Sequence, residues 1–214
     1  MHQDFKTLLT IKIKSIMGQY YFPILLKKNW KLAKQPVSMT LYSHEFHNGL
    51  KLMEHSWVGN RFVRAMQYVI ANFGNDLHFV WCGDYADIEK THYYPDGVDL
   101  YSMADALTES NDEHYLFTKN SIPPLEDLHD YKYIINKSKK EYVIIPEYDK
   151  DVWQVHPLPI LCANSNGRGG GDYRPNSVRD EQFIGRWAYD IINVSDDEND
   201  IKGYKEIKPN FYEE

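Results

Sequence analysis

The residues whose types and spacing could do chemistry lie between Asn164 and Arg174, in the run Asn-Ser-Asn-Gly-Arg-Gly-Gly-Gly-Asp-Tyr-Arg. Glycines at 167, 169, 170 and 171 allow backbone N–H groups to be turned toward a ligand at close range. Four of the six arginines, Arg168, Arg174, Arg179 and Arg186, fall in this run or shortly after it. A guanidinium grips carboxylate or phosphate through two parallel hydrogen bonds, so the chemistry implied is anion binding. In that reading the N–H groups of Gly169, Gly170 and Gly171 hold phosphate oxygens, and Arg168 and Arg174 neutralise charge. Tyr173 stacks on a base, and Asp172 serves as acid/base or cation ligand. Asn164, Asn166 and Arg186 complete the candidate ligand-binding set. No Lys-Ser/Thr pair closes the run as in a P-loop, and its contiguous glycines do not fit the dinucleotide fingerprint. The competing reading is a surface turn that uses glycine for conformation alone.

Ala163-Asn164-Ser165 followed by Gly169-Gly170-Gly171 resembles a fragment of the macrodomain signature, in which an Ala-Asn stretch precedes a glycine-rich loop that holds ADP-ribose. The resemblance is confined to this stretch. Asn166-Gly167-Arg168 replaces the apolar residue usual there, and only residues 172–214 follow, where macrodomains place several βα units.

Other clusters are weaker. His44, His47 and His55, with Glu54, form the densest histidine group, but a three-residue step along a strand puts His44 and His47 on opposite faces. No metal and no cofactor are expected. His156 and Cys162 would stand about 20 Å apart on a strand, too far for an activated thiol. Asp84, Asp87 and Glu89 follow a strand end, where they either form an acid/base or cation site or solvate a loop.

These residues need a frame. Residues 20–27 read as a buried strand that Pro23 pushes toward a sheet edge or a strand start, and 37–46 as a second strand. Asn60 caps a helix over 61–73 with Gly74 as its stop. Residues 77–82 form a compact strand and 100–108 a short helix. Residues 131–135 and 141–145 make a hairpin, and 153–163 resembles a strand in which Pro157 and Pro159 suit an edge or an irregular segment. Asn176 or Ser177 caps a helix over 179–193, with Phe183, Ile184, Trp187 and Ile191 inward and Arg186 paired to Asp190 outside. A last short strand falls in 204–211. The expected fold is therefore α+β: a single domain over 17–214, a mostly antiparallel sheet packed by two main amphipathic helices, 61–73 and 179–193. Residues 1–16 read as an extension upstream of an alternative start at Met17.

Net charge of −7 argues against broad direct nucleic-acid binding, which needs a basic face, and no segment has the length and polarity of a membrane span. Cys82 and Cys162 sit in apolar runs and read as buried thiols, which suits the cytoplasm. Seventeen tyrosines and a strong excess of lysine over arginine fit a low-GC bacterium or its phage. Exposed tyrosine is also common in binding faces. With no complete catalytic motif, the first expectation is a non-catalytic, acidic interaction or regulatory protein. Its partner is a protein or ribonucleoprotein, and the 196–200 acidic run imitates phosphates. The alternative is a protein that binds, or hydrolyses, a nucleotide or another phosphate-bearing small molecule at 164–174.

Overall fold

The computed structural model describes residues 18–110, 114–175 and 177–211. The expectations for 1–16, for Met17 and for Asn176 as a cap lie outside them. The fold is a mixed α+β single domain. Its strands are β1 (Tyr21–Leu26), β2 (Val37–Leu41), β3 (His78–Gly83), β4 (Leu116–Phe117), β5 (Tyr133–Asn136), β6 (Glu141–Ile144), β7 (Ala163–Asn164), β8 (Asp190–Ser195) and β9 (Lys205–Glu206). The helices are α1 (Leu52–His55), α2 (Arg61–Phe73), α3 (Leu100–Ser110), α4 (Pro157–Cys162) and α5 (Val178–Glu181). The strands form one sheet in the order β4-β2-β1-β3-β8-β5-β6-β9, with β7 beside β3. Pairing is antiparallel except for β2–β4, β3–β7 and β6–β9.

Burial explains the frame. Every residue of β1 is buried, because the strand is covered on both faces. Phe22, Ile24 and Leu26 pack with Val80 and Cys82 against Leu100, Ala104 and Leu107 of α3. Tyr21 and Leu25 join Phe79 and Trp81 under Phe62, Met66, Val69 and Ile70 of α2. The expected cap of α2 is present: Asn60 Oδ1 accepts from the N–H groups of Phe62 and Val63, at 2.9 and 3.2 Å. Gly74 ends the helix. The hairpin also forms, with Tyr133 opposite Ile144 and Asn136 opposite Glu141.

Four expectations are corrected. β1 is an interior strand despite Pro23, because the β1–β2 ladder starts at Ile24 and the Pro23 carbonyl accepts from Thr40 Oγ1 at 2.9 Å. Residues 37–46 divide into β2 and a 3-10 turn at Ser43–Phe46. Of residues 153–163 only Ala163 lies in a strand, β7. Pro157 takes the first helical position of α4, where its missing N–H costs nothing, and His156 Nδ1 accepts from Leu158 N–H as the cap. The helix expected over 179–193 is reduced to α5, capped by Ser177. Gly185 at φ +67° passes so close to Ala163 that a Cβ would lie 2.4 Å from its carbonyl oxygen. The chain crosses α4 there, with Gly185 N–H donating to Ile160 O and Trp187 N–H to Leu161 O, and then enters β8. The helical spacing of Phe183, Ile184 and Trp187 marked inward residues correctly and their backbone incorrectly.

Candidate functional site

The glycine loop connects β7 to α5 and is satisfied from within. Asp172, 7% exposed, turns its carboxylate into the loop. Its Oδ2 accepts from Gly167, Arg168 and Gly169 N–H at 2.7, 2.9 and 2.9 Å, and Oδ1 accepts from Tyr21 Oη–H at 2.8 Å. The surrounding hydrogen bonds orient the Gln19 amide with Nε2 2.8 Å from Asp172 Oδ2 and Oε1 accepting from Ser165 Oγ. The converging N–H groups therefore form an anion nest whose anion is the chain's own carboxylate. Glycine at 169 is required by proximity, since a Cβ there would lie 2.8 Å from the Gln19 backbone nitrogen.

The other residues of the expected site disperse. Tyr173 is 2% exposed and packs edge-on against Phe211, so burial withholds its ring from a base. Asn166 spans the loop, donating to Tyr173 O and accepting from Tyr173 N–H, both at 2.9 Å. Asn164 donates to Tyr189 Oη at 2.6 Å. Gly170 O and Gly171 O accept from Gln19 and Met53 N–H. Arg168 forms a two-bond ion pair with Asp87, at 3.0 and 2.8 Å, and also donates to Tyr85 O. Those bonds hold the Asp87 carboxyl below its ordinary range. Arg174 is exposed. Arg186 does not join the loop or pair with Asp190. It pairs with Glu141 of β6 at 2.5 Å, while Asp190 accepts from Asn136 at 2.7 Å. Burial pushes the Glu141 carboxyl up, but the bonds from Arg186 and Trp187 outweigh it and hold the group below its usual range.

Asp84 accepts from Tyr20 N–H, and burial raises its carboxyl above the ordinary value. It does not share a proton site with Asp87, which is committed to Arg168. The three histidines separate: His44 and His47 are exposed and His55 is fully buried. His55 Nδ1–H donates to Gly49 O and Nε2 accepts from Trp81 Nε1–H. Desolvation lowers its pKa to about 4, so the imidazole is a neutral core group. Among the described residues, no three His, Cys, Asp or Glu side chains are placed to hold a metal ion. Cys82 and Cys162 are buried free thiols that burial pushes well above the usual thiol pKa. The 196–200 run is knitted locally. Asp196 binds His129 and Lys132 N–H, Glu198 binds Lys132 Nζ, and Asp200 binds Ser195.

Two features absent from the expectations stand out. The first is a hollow of about 320 Å³ between α2, the stretch before β5 and the chain after β6, lined by Val58, Arg64, Gln67, Tyr131, Tyr148 and His156 among others. Gln67 is 2% exposed and its Nε2 makes no hydrogen bond among the described residues. The second is the segment 147–153, where Tyr148, Val152 and Trp153 are 64%, 48% and 44% exposed. Within the strand expected over 153–163, nothing in the spacing marks Trp153 as exposed. The Pro157 position after a potential His cap was the signal that separates α4 from an exposed lead-in. Nothing in the spacing of Gln67 distinguishes it from any polar residue on a helix.

Compared with protein-family models, curated proteins and solved structures, the chain matches none. After β7 the chain makes α5 and then β8, antiparallel to β3, in place of the βα units of a macrodomain. Among the described residues no helix is long and apolar enough to cross a membrane.

Proposed function

We propose that this chain is a non-catalytic interaction protein that docks a basic protein or ribonucleoprotein surface on segment 147–153, in the cytoplasm of a low-GC bacterium or its phage. The observation that carries this reading is the exposure of Tyr148, Val152 and Trp153 in one segment, interleaved with exposed Glu147, Asp149 and Asp151. Large apolar side chains shown to solvent in a group mark contact surfaces, and tryptophan and tyrosine are the side chains that most often dominate binding energy. The acidic residues between them, and the net charge of −7, favour a partner with a basic rim around an apolar hollow.

The phosphate-ligand reading draws less support from the geometry, because Asp172 already fills the nest and Arg168 is committed to Asp87.

The test is capture of a stoichiometric partner from source cells, followed by titration of the purified pair. Trp153→Ala is expected to weaken the complex by roughly tenfold or more, a loss of at least about 1.4 kcal/mol, and rising salt to weaken it further. A partner bound equally well by Trp153→Ala and by Val152→Ser, or no stoichiometric partner at all, removes the proposal.

A further inference from the structure

We infer that the tyrosines grouped about Asp84, on the α3 side of the sheet, form a binding site for a small alkylammonium ion, with Asp84 as its counter-charge. The β1–β3 ladder assembles the site. Beyond the pair Tyr21 and Gly83 it continues to Tyr20 and Asp84. There Asp84 N–H donates to Tyr20 O at 2.9 Å, and Tyr20 N–H donates to Asp84 Oδ1 at 3.2 Å. Phe22, two residues on, shares the strand face of Tyr20 and forms a buried floor, 1% exposed. Two rings pack on that floor: Tyr42, just after β2, with centroids 5.9 Å apart, and Tyr101, in the first turn of α3, at 5.0 Å. Tyr20 is 42% exposed, and Tyr42, Asp84 and Tyr101 are half-buried, so the rings and the carboxylate are open to a solute.

The ligand's chemistry follows from charge and from the rings. Among the described residues Asp84 Oδ2 accepts no hydrogen bond and no cation pairs with the carboxylate. Burial lifts the Asp84 pKa above the ordinary carboxylate value, and Asp172 and Asp99 add to the rise because they too are negative. Asp105 lies one turn beyond Tyr101 on α3 and likewise makes no ion pair among the described residues. After burial, Asp105 and Asp84 do most to raise the Tyr101 hydroxyl pKa, which places both carboxylates near that ring. Arg168, which donates to the Tyr85 carbonyl, is spent on Asp87. The site therefore presents negative charge that a bound cation would offset. A metal ion fits poorly, because no three His, Cys, Asp or Glu side chains among the described residues could hold one. Tyrosine faces attract cations through the ring quadrupole, and an ammonium carrying alkyl groups also gains apolar contact with them. Its alkyl groups rest on Tyr20, Tyr42 and Tyr101 while its charge faces Asp84.

This inference does not rest on the docking of a partner. The site shares no residue with segment 147–153, which follows β6 and sets Tyr148 over Gly59 ahead of α2, whereas Phe22 and Tyr101 belong to the α3 side. Either idea can fail alone.

The experiment is NMR of the full chain at neutral pH, following tyrosine ring signals during addition of choline and of tetramethylammonium. The comparators are magnesium and the uncharged analogue of choline in which a tert-butyl group replaces trimethylammonium. Both ammonium ions are expected to shift the Tyr42 and Tyr101 signals saturably, and the uncharged analogue to bind roughly tenfold more weakly or not at all. Asp84→Asn keeps the acceptor for Tyr20 N–H and should weaken choline binding roughly tenfold or more. Tyr20→Leu, at an exposed position that leaves the core intact, should weaken it roughly threefold and keeps the test open should Asp84→Asn fold poorly. The inference is overturned if neither ammonium ion shifts these signals. It is equally overturned if the uncharged analogue binds as tightly as choline, if magnesium binds there more tightly than choline, or if both variants bind choline as the parent does.

Discussion

The glycine loop and the hollow beside α2 use the same kind of group in opposite ways. In the loop, three backbone N–H groups converge on one point, and Asp172 supplies the oxygen they require. In the hollow, the Gln67 amide is buried against a cavity and has no acceptor among the described residues. A run of glycines and arginines is conspicuous in a sequence, yet here it makes a self-satisfied turn that fastens the 164–174 segment to Tyr21 and Gln19. The inconspicuous glutamine is one of the buried polar groups without a hydrogen-bond partner among the described residues. Donor groups alone do not define a ligand site; what matters is whether the fold has already answered them.

The comparison can be broken most forcefully at Asp172. Asp172→Ala removes the acceptor from three N–H groups and the Tyr21 hydroxyl, for an expected loss of roughly 3–6 kcal/mol in denaturant unfolding. The emptied nest should then bind sulfate, so added sulfate is expected to restore part of the loss in the variant and to do little for the parent. A loss below about 1 kcal/mol would mean that the loop is not held by this carboxylate. A smaller effect concerns the hollow. The His156 pKa is depressed from its ordinary 6.5 to about 3, so below pH 6.5 the unfolded chain takes up a proton that the native imidazole refuses. Stability from this group is complete above about pH 6.5 and is lost as pH falls toward 3. His156→Asn keeps a helix cap and removes the titration. Between pH 7 and pH 4 it should therefore lose on the order of 3 kcal/mol less stability than the parent. Identical acid profiles would show that His156 is not buried as a neutral donor. The smallest effect belongs to Arg168, whose pair with Asp87 is exposed. Arg168→Ala is expected to change stability by less than about 1 kcal/mol, and high salt should reduce even that. A larger loss would assign the loop's anchorage to this ion pair instead of to Asp172.

Much of the frame was legible because local signals and burial agreed. Asn60 ahead of an apolar face of 3.6-residue period, and Gly74 behind it, specify α2 with little help from the rest of the chain. The apolar runs of β1 and β3, and the turn between β5 and β6, are readable for the same reason. The 179–193 segment failed because its inward residues satisfy a helical spacing that the backbone does not adopt. Gly185 must pass against Ala163, and β3 and β5 claim residues 190–195 as a strand. Tertiary pairing there overrides a local preference worth only fractions of a kcal/mol per residue.

The sequence by itself determined the α+β class, the main interior elements, the acidic charge and the buried character of both cysteines, since these depend on composition and on periods of two or three to four residues. Only the tertiary structure decided that Asp172 and Tyr21 meet, that the histidines part, that Arg186 serves Glu141, and that the Gln67 amide is buried without a hydrogen-bond partner among the described residues. Hydrogen bonds and cavities depend on atoms brought together from distant parts of the chain, and no local pattern encodes which of those atoms will find one another.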